Sequence, residues 1–107
     1  MDHACKDHVL DIGPKGIISH SGSDGSTPFQ RLDRYGQWNY TAGENLEFGN
    51  NKGRDIIIAL IVDDGVPDRG HRANIFKEDF HKTGISHGPH SKYKYMTCNV
   101  FAGDYQE

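Results

Sequence analysis

The amino-terminal residues carry apolar positions at helical spacing. One face of a helix is marked by residues at offsets of three and four: Ala4, Cys5, His8, Val9 and Ile12. A Gly-Pro pair follows directly at positions 13 and 14, and that order is typical of the end of a helix. The pattern therefore predicts a helix that ends at Gly13.

The next stretch of the chain alternates between loop signals and short ordered segments. Residues 19–27, SHSGSDGST, are rich in Ser, Gly and Asp and predict a loop. Pro28 suits a first helical turn, and three apolar residues at helical spacing predict a short helix that Gly36 closes. Residues 41–49, TAGENLEFG, predict an extended or irregular segment.

The longest apolar run of the chain is Ile56 to Val62, seven residues rich in Ile. Such a run suits a buried strand or a buried helix equally well. Asp55 precedes it as a cap or first-turn acid, which favours a helix. A membrane-spanning helix needs about 20 apolar residues, so this run predicts a buried element and no membrane span.

The carboxyl-terminal third predicts a β-hairpin, because two extended runs flank a Gly88-Pro89 turn. Alternation along the second run defines one face with Tyr93, Tyr95, Thr97, Asn99 and Phe101. The other face carries Lys94, Met96, Cys98 and Val100.

Length and charge narrow the class of protein. A chain of 107 residues is long enough for one core and too short for two, so we expect one domain over residues 1–107. Twelve Lys and Arg oppose fifteen Asp and Glu, and no basic segment is concentrated enough to follow a phosphate backbone. Nucleic acid is therefore excluded as a partner. Thirteen glycines indicate a small, loop-rich core of the kind that relies on a covalent or metal link.

Two cysteines lie near opposite ends of the chain. Cys98 shares a strand face with Met96 and Val100, and Cys5 lies on the apolar face of the first helix, so we expect the two to meet in the core. A disulfide between them would stabilise the fold by about 4–5 kcal/mol in the loop-entropy model. Two buried free thiols remain the alternative.

Asn39-Tyr40-Thr41 is a glycosylation sequon. The pattern matters only in a secreted protein, and there it predicts a glycan on Asn39.

The candidate chemistry is carried by two histidines and their acidic neighbours. His20 lies in SHSGSDG and His71 in RGHRANIF, each in a Gly-rich loop. Taken singly, each is a surface or capping histidine. Glu44 in AGENL and Asp64, seven residues before His71, add two acids to the set.

Five segments in this order resemble the CAP superfamily, the cysteine-rich secretory, antigen 5 and pathogenesis-related proteins, also called SCP domains. The segments are ACKDHVLDIG, SHSGSDGSTPFQRL, GENLEFG, LIVDDGVPDRGHRANIF and FAGDY. The likeness runs from about Ala4 to Tyr105 and is greatest to the branch found in bacteria and protists, which has His-Arg where other members have a Gly-His-Tyr motif. It implies an α+β fold, a three-layer α-β-α sandwich. Family domains begin with a further stretch of helix before Ala4, most of which this chain lacks.

The resemblance also implies a cleft lined by two histidines and two acids. Matched motif by motif, these are His20, Glu44, His71 and, on the VDD stretch, Asp64. Asp stands where many members have Glu, and the missing methylene withdraws the carboxylate by roughly 1.5 Å. Such a set suits zinc or another divalent cation, bound weakly and not required. Arg72 is interpreted as structural, paired with an acid.

The function implied by the resemblance is that of a secreted, non-enzymatic module that binds a lipid or sterol, a metal, or a protein partner. One alternative is a metal-dependent hydrolase that uses His20, Glu44, Asp64 and His71. Another is a structural building block of an extracellular assembly. The sequence leaves the ligand and the oligomeric state open.

Overall fold

A computed structural model describes residues 1–107 as four helices and three strands. In chain order these are α1 (Asp2–Lys15), α2 (Pro28–Asp33), β1 (Gln37–Phe48), α3 (Gly53–Val62), α4 (Gly70–Phe76), β2 (Lys82–His90) and β3 (Lys94–Gln106). None of the helices combines the length and the apolar character that crossing a membrane requires.

The three strands form one antiparallel sheet in the order β1-β3-β2, so the last strand of the chain lies at the centre. Glu44 pairs with Val100 and Leu46 with Cys98 across the first ladder. Because side chains alternate along a strand, Glu44 and Leu46 share one face of the sheet, and Asn45 belongs to the opposite face.

Helices cover both faces of the sheet. Helix α1 packs on the face of Cys98, to which Cys5 is joined. On the other face, the side-chain amide of Asn45 donates a hydrogen bond to the backbone oxygen of His71 in α4, at 2.9 Å. The architecture is the three-layer α-β-α sandwich that the sequence predicts.

The core lies between α1 and the central strand. Twelve buried residues form it: Met1, Ala4, Cys5, Val9, Ile12, Leu32, Leu46, Met96, Cys98, Val100, Ala102 and Tyr105. The predicted apolar face of α1 is confirmed. The disulfide between Cys5 and Cys98 is also confirmed, with the two Cα atoms 5.3 Å apart.

Helix α1 continues past the predicted end at Gly13. It extends to Lys15, and Gly16, at φ 66°, forms the left-handed cap. Glycine is required at position 13 for another reason, because a Cβ there would collide with the backbone oxygen of Pro89. The glycine at position 13 thus permits close packing of the helix on β2, and it does not end the helix.

The hairpin is confirmed, but its turn is not at Gly88-Pro89. Both residues lie within β2, opposite Met96 and Tyr95, and the chain reverses at residues 91–93. Proline is tolerated there because β2 is an edge strand. Buried His90 organises the turn, since its Nδ1 accepts hydrogen bonds from the backbone N–H groups of residues 92 and 93.

The apolar run and the GENLEF stretch, for which the sequence left alternatives, both form regular secondary structure. The apolar run belongs to a helix, α3, with Asp55 in its first turn, but only Ile56 and Leu60 are buried, so the predicted burial holds for one face alone. The GENLEF stretch is the second half of β1. Helix α2 begins at Pro28 as predicted, but it ends at Asp33, before Gly36.

Candidate functional site

A cleft opens over β1, the edge strand of the sheet. A cavity of about 330 Å³ there is lined by Ile18, Ser19, His20, Leu46, Phe48 and His71. An adjoining cavity of about 340 Å³ shares four of these residues and adds Glu47, Ala59, Leu60, Asp63 and Tyr93. We call the two cavities together the histidine cleft. Its size and its mainly apolar lining with a few polar groups are typical of small-molecule sites.

On one side of the cleft, His20 contacts Glu44. The Nδ1–H of His20 donates to Glu44 Oε1 at 2.8 Å, because an ionised carboxylate can only accept. The His20 side chain is 54% exposed, whereas that of Glu44 is 1% exposed. The imidazole therefore stands at the surface on a buried anionic support, and its Nε2 is left as an acceptor.

Arg31, which the sequence did not single out, balances the charge of Glu44. Its guanidinium donates to Glu44 Oε2 and to the backbone oxygens of His20 and Ser26, each at 2.9 Å. The ion pair is buried on both sides, so the favourable geometry must offset the loss of hydration. Arg31 fixes both the carboxylate and the loop that carries His20. An arginine in an amphipathic helix resembles a surface residue, so no sequence pattern signals this role.

Buried His8 ties the same loop to α1. Its Nε2–H donates to the backbone oxygen of Ser19 at 2.8 Å, and its Nδ1 has no partner. Burial lowers the pKa of His8 below its ordinary value, and the positive charge of Arg31 lowers it further. His8 is thus a neutral residue that positions the segment before His20.

On the other side of the cleft, His71 contacts Asp63. The Nδ1–H and the backbone N–H of His71 both donate to the Asp63 carboxylate, at 2.9 Å each. Burial alone would raise the pKa of Asp63. The hydrogen bonds from His71 and from the backbone of Arg72 outweigh that effect and lower the pKa below its ordinary value.

The acid that faces His71 is Asp63, so the prediction of Asp64 for this place is corrected. Helix α3 ends at Val62, and Asp63 adopts a left-handed conformation, φ 53°, that turns its buried carboxylate towards α4. Asp64 is exposed. The end of a helix is uncertain by one or two residues from sequence, which is enough to exchange two neighbouring acids.

Arg72 does not pair with an acid as predicted. Its guanidinium donates to the backbone oxygens of Ile61 and Val62, at the carboxyl end of α3. These carbonyls have no partner within the helix, and a cation there also complements the helix dipole. Arg72 therefore has the structural role that was predicted, but it stabilises the end of a helix and does not pair with an acid.

The structure brings His20 and His71 to one cleft, with Glu44 buried behind His20 and Asp63 behind His71. The two carboxylates do not fit as direct metal ligands, because both lie buried behind the imidazoles, with side-chain exposures of 1% for Glu44 and 4% for Asp63. No three His, Cys, Asp or Glu side chains are arranged to hold a metal ion. The available donors are two imidazole Nε2 atoms, each backed by a carboxylate that orients the ring.

Glu47 is a second polar residue that the sequence did not single out. It lines the cleft and is 7% exposed, with Oε1 accepting from the Asn50 side chain at 2.6 Å and Oε2 without a partner. Burial raises the pKa of Glu47, although the hydrogen bonds from Asn50 oppose the shift.

The predicted glycosylation site lies outside the cleft. Asn39 is part of β1, opposite Asp104 in β3, and is half-buried.

A comparison with family sequence models identifies the family. Residues 1–100 match the sequence model of CAP, the Cysteine-rich secretory protein family. The match covers most of the chain, and this protein therefore belongs to the CAP family, as the motifs predicted. A search of curated proteins by sequence finds no match.

Solved structures with the same fold include two bacterial proteins. An outer surface protein from Borrelia burgdorferi aligns with a TM-score of 0.74 and 21% identity, over 92% of this chain and 69% of that chain. An extracellular protein containing an SCP domain from Bacillus anthracis str. Ames aligns with a TM-score of 0.70 and 23% identity, over 92% of this chain and 30% of that chain. At these identities the likeness shows the fold alone.

Proposed function

We propose that this chain is a non-enzymatic, extracellular CAP module that binds a small amphipathic ligand, of the lipid or sterol class, in the histidine cleft. The observation that carries the proposal is the composition of the cleft. Ile18, Leu46 and Phe48 offer an apolar surface between two imidazoles. A ligand with an apolar body and a hydroxyl or carboxyl group matches both features.

The contacts of the two imidazoles support a binding role over a catalytic one. Neither His20 nor His71 hydrogen-bonds to a serine, threonine or cysteine side chain that it could activate as a nucleophile. Glu44 and Asp63 are held by their cationic or N–H partners, so neither is free to take a proton from water. The cleft orients its imidazoles firmly but holds no nucleophile in hydrogen bond with them, and its further carboxylate, Glu47, bonds to Asn50 instead.

Two further observations support an extracellular setting. The structural relatives are described as an outer surface protein and an extracellular protein. The disulfide between Cys5 and Cys98 would persist in an oxidising compartment.

Binding of a fluorescent fatty acid, with cholesterol as competitor, tests the proposal. Ile18 lines the cleft and is 49% exposed, whereas Leu10 is 61% exposed and lies outside it. Ile18→Ser removes apolar area from the cleft, so we expect roughly tenfold weaker binding, and Leu10→Ser serves as the matched control. Absence of saturable binding, or equal losses in both variants, would contradict the proposal.

We expect Zn²⁺ to bind weakly in the cleft and not to be required. Two Nε2 atoms are fewer donors than a stable zinc site uses, and only neutral imidazole binds a metal. Affinity should therefore fall further as the pH drops through the range in which histidines titrate. Calorimetric titration of the wild type beside His71→Ala measures this. A tight site, or a weak one indifferent to loss of His71, would refute the assignment.

A metal-dependent hydrolase is the second candidate, and one observation favours it. The carboxylates behind His20 and His71 match the arrangement that also orients catalytic imidazoles. This candidate requires hydrolysis of a chromogenic ester that stops on chelation and in His20→Ala. Hydrolysis absent under all metal conditions eliminates it.

A further inference from the structure

A strained tyrosine lies at the other end of β1 from the histidine cleft. Pairing with β3 is interrupted between Asn39 and Ala42, so Tyr40 and Thr41 bulge opposite Gly103. Tyr40 has φ 73°, a left-handed conformation that a bulky residue adopts only at a cost. Its ring is 91% exposed. Strain of this kind concentrates at functional positions, because it is retained only where something else favours it.

The packing around Tyr40 does not explain why a tyrosine is placed there. The phenol makes no hydrogen bond, and the ring packs against no other aromatic ring. A glycine or asparagine would adopt the same backbone with less strain. The exposed ring is therefore an unused apolar face on a conformationally restricted stretch of backbone.

Beside this ring lies a pocket of about 360 Å³, lined by Tyr40, Thr41, Asp79, His81 and Gly103. It shares no lining residue with the histidine cleft. We call it the bulge pocket.

Gly103 keeps the floor of the bulge pocket open. A Cβ added there would stand 3.1 Å from the Tyr40 Cβ and 3.3 Å from the backbone oxygen of Asp79. Both distances are shorter than ordinary van der Waals contact. A side chain at position 103 would therefore press on the bulge and fill the pocket.

The polar groups of the bulge pocket are free to accept hydrogen bonds from a ligand. The Nδ1–H of His81 donates to the backbone oxygen of Gly103 at 3.2 Å, which leaves Nε2 as an acceptor. The Asp79 carboxylate and the Thr41 hydroxyl have no hydrogen-bond or ion-pair partner in the protein, unlike the neighbouring Asp104, which accepts from Gln106. A carboxylate and an imidazole nitrogen thus stand beside an exposed aromatic ring.

We propose that the bulge pocket binds a neutral saccharide. A pyranose ring has an apolar C–H face, which would pack on the Tyr40 ring, and a rim of hydroxyl groups. Adjacent hydroxyls would donate to the two oxygens of Asp79 and to His81 Nε2. The single carboxylate disfavours acidic sugars, because it would repel a second negative charge. A saccharide site here is independent of the ligand of the histidine cleft.

The test is a titration of the whole chain with glucose, galactose, mannose and N-acetylglucosamine, followed by backbone amide NMR. We expect at least one sugar to shift the amides of residues 40–41, 79–81 and 103 in a saturable manner. Tyr40→Asn, which suits the left-handed backbone, should bind that sugar roughly tenfold more weakly or not at all. Its melting temperature should equal or exceed that of the wild type, because the strain is relieved.

Two further variants separate recognition from folding. Asp79→Asn keeps the shape of the pocket and removes the charged acceptor, so binding should weaken while the fold is unchanged. Tyr35→Ser removes another exposed tyrosine, one that lines none of the cavities, and should leave sugar binding as in the wild type. The proposal is overturned when none of the four sugars shifts the pocket amides, or when Tyr40→Asn binds like the wild type.

Discussion

At the scale of single residues, the candidate site depends on one buried carboxylate. Glu44 accepts from His20 on one oxygen and from Arg31 on the other. The same side chain thus orients an exposed imidazole and neutralises a buried guanidinium. Its loss would affect the cleft and the stability of the fold together.

Glu44→Gln should destabilise the protein strongly. The substitution leaves the Arg31 charge buried without its counter-ion, and breaking a buried pair in this way costs about 3–5 kcal/mol. Glu47→Gln is the control, since Glu47 is equally buried but has only the neutral Asn50 as its hydrogen-bond partner. Urea unfolding of both variants measures the difference, and equal losses would disprove the role given to the ion pair.

His8 should make the protein sensitive to mild acid. Burial, aided by Arg31, lowers its pKa in the folded state, while the charges of Glu44 and Asp11 oppose the shift. The unfolded chain therefore binds the proton more readily, and stability must fall as the pH drops below the ordinary histidine pKa of 6.5. We expect the melting temperature to decline from pH 7 to pH 5, and less steeply in His8→Gln.

The matched control for this prediction is His3→Gln, which replaces an exposed histidine of the same helix. It should keep the pH dependence of the wild type. A His8→Gln profile parallel to that of the wild type would mean that other groups cause the acid sensitivity.

At the scale of elements, the link between α3 and α4 is built around Asp63. The residue ends one helix in a left-handed conformation and accepts hydrogen bonds from the backbone of the next. Arg69, also left-handed, precedes α4 and donates to the backbone oxygens of Asp63 and Val66. The connection is held by side chain to backbone bonds, with little apolar packing.

Two neighbouring acids allow a direct check of this arrangement. Asp63→Ala removes the acceptor for the His71 imidazole and for the backbone N–H groups of residues 71 and 72 in the first turn of α4, so we expect a loss of about 1–3 kcal/mol. Asp64→Ala should leave stability unchanged, because the side chain is exposed and makes no contact with His71. Thermal or urea unfolding distinguishes them, and a larger effect at Asp64 would mean that Asp64, not Asp63, holds α4 in place.

The sequence predicted elements better than their boundaries. The apolar face of α1 and the two faces of β3 follow from periodicity, whereas the helix at Ile56 follows from the acid that precedes its apolar run. Gly13, Gly88 and Pro89 resemble breaks, but they lie inside elements where the chain passes close to a neighbour or along a sheet edge. Such contacts form between residues far apart in the chain, so no local sequence pattern predicts them.

The candidate site could be predicted only in part for a related reason. His20, Glu44 and His71 were reached through family motifs, since residues so far apart in the chain have no common spacing. Asp63 and Asp64 are chemically identical, and only the left-handed turn after Val62 decides which one faces inwards. The role of Arg31 depends on where the loop before α2 meets β1, which the sequence does not state.

At the scale of the whole molecule, the disulfide fastens the first helix to the central strand. It closes a loop of 93 residues in sequence separation. The double variant Cys5→Ala, Cys98→Ala should lose about 2–5 kcal/mol, mainly because its unfolded chain is freer. Urea unfolding with and without a reducing agent measures this, and reduction should not alter the variant further. A double variant as stable as the oxidised wild type would show that the bridge constrains little.

The order of strands has a consequence for how the chain is made. Strands β1 and β2 pair only with β3, and β3 is the last of the three to leave the ribosome. Until it emerges, neither edge strand has a partner and Cys5 has no thiol to join. The sheet, and the covalent link between its central strand and α1, can therefore form only after residues 94–106 have left the ribosome.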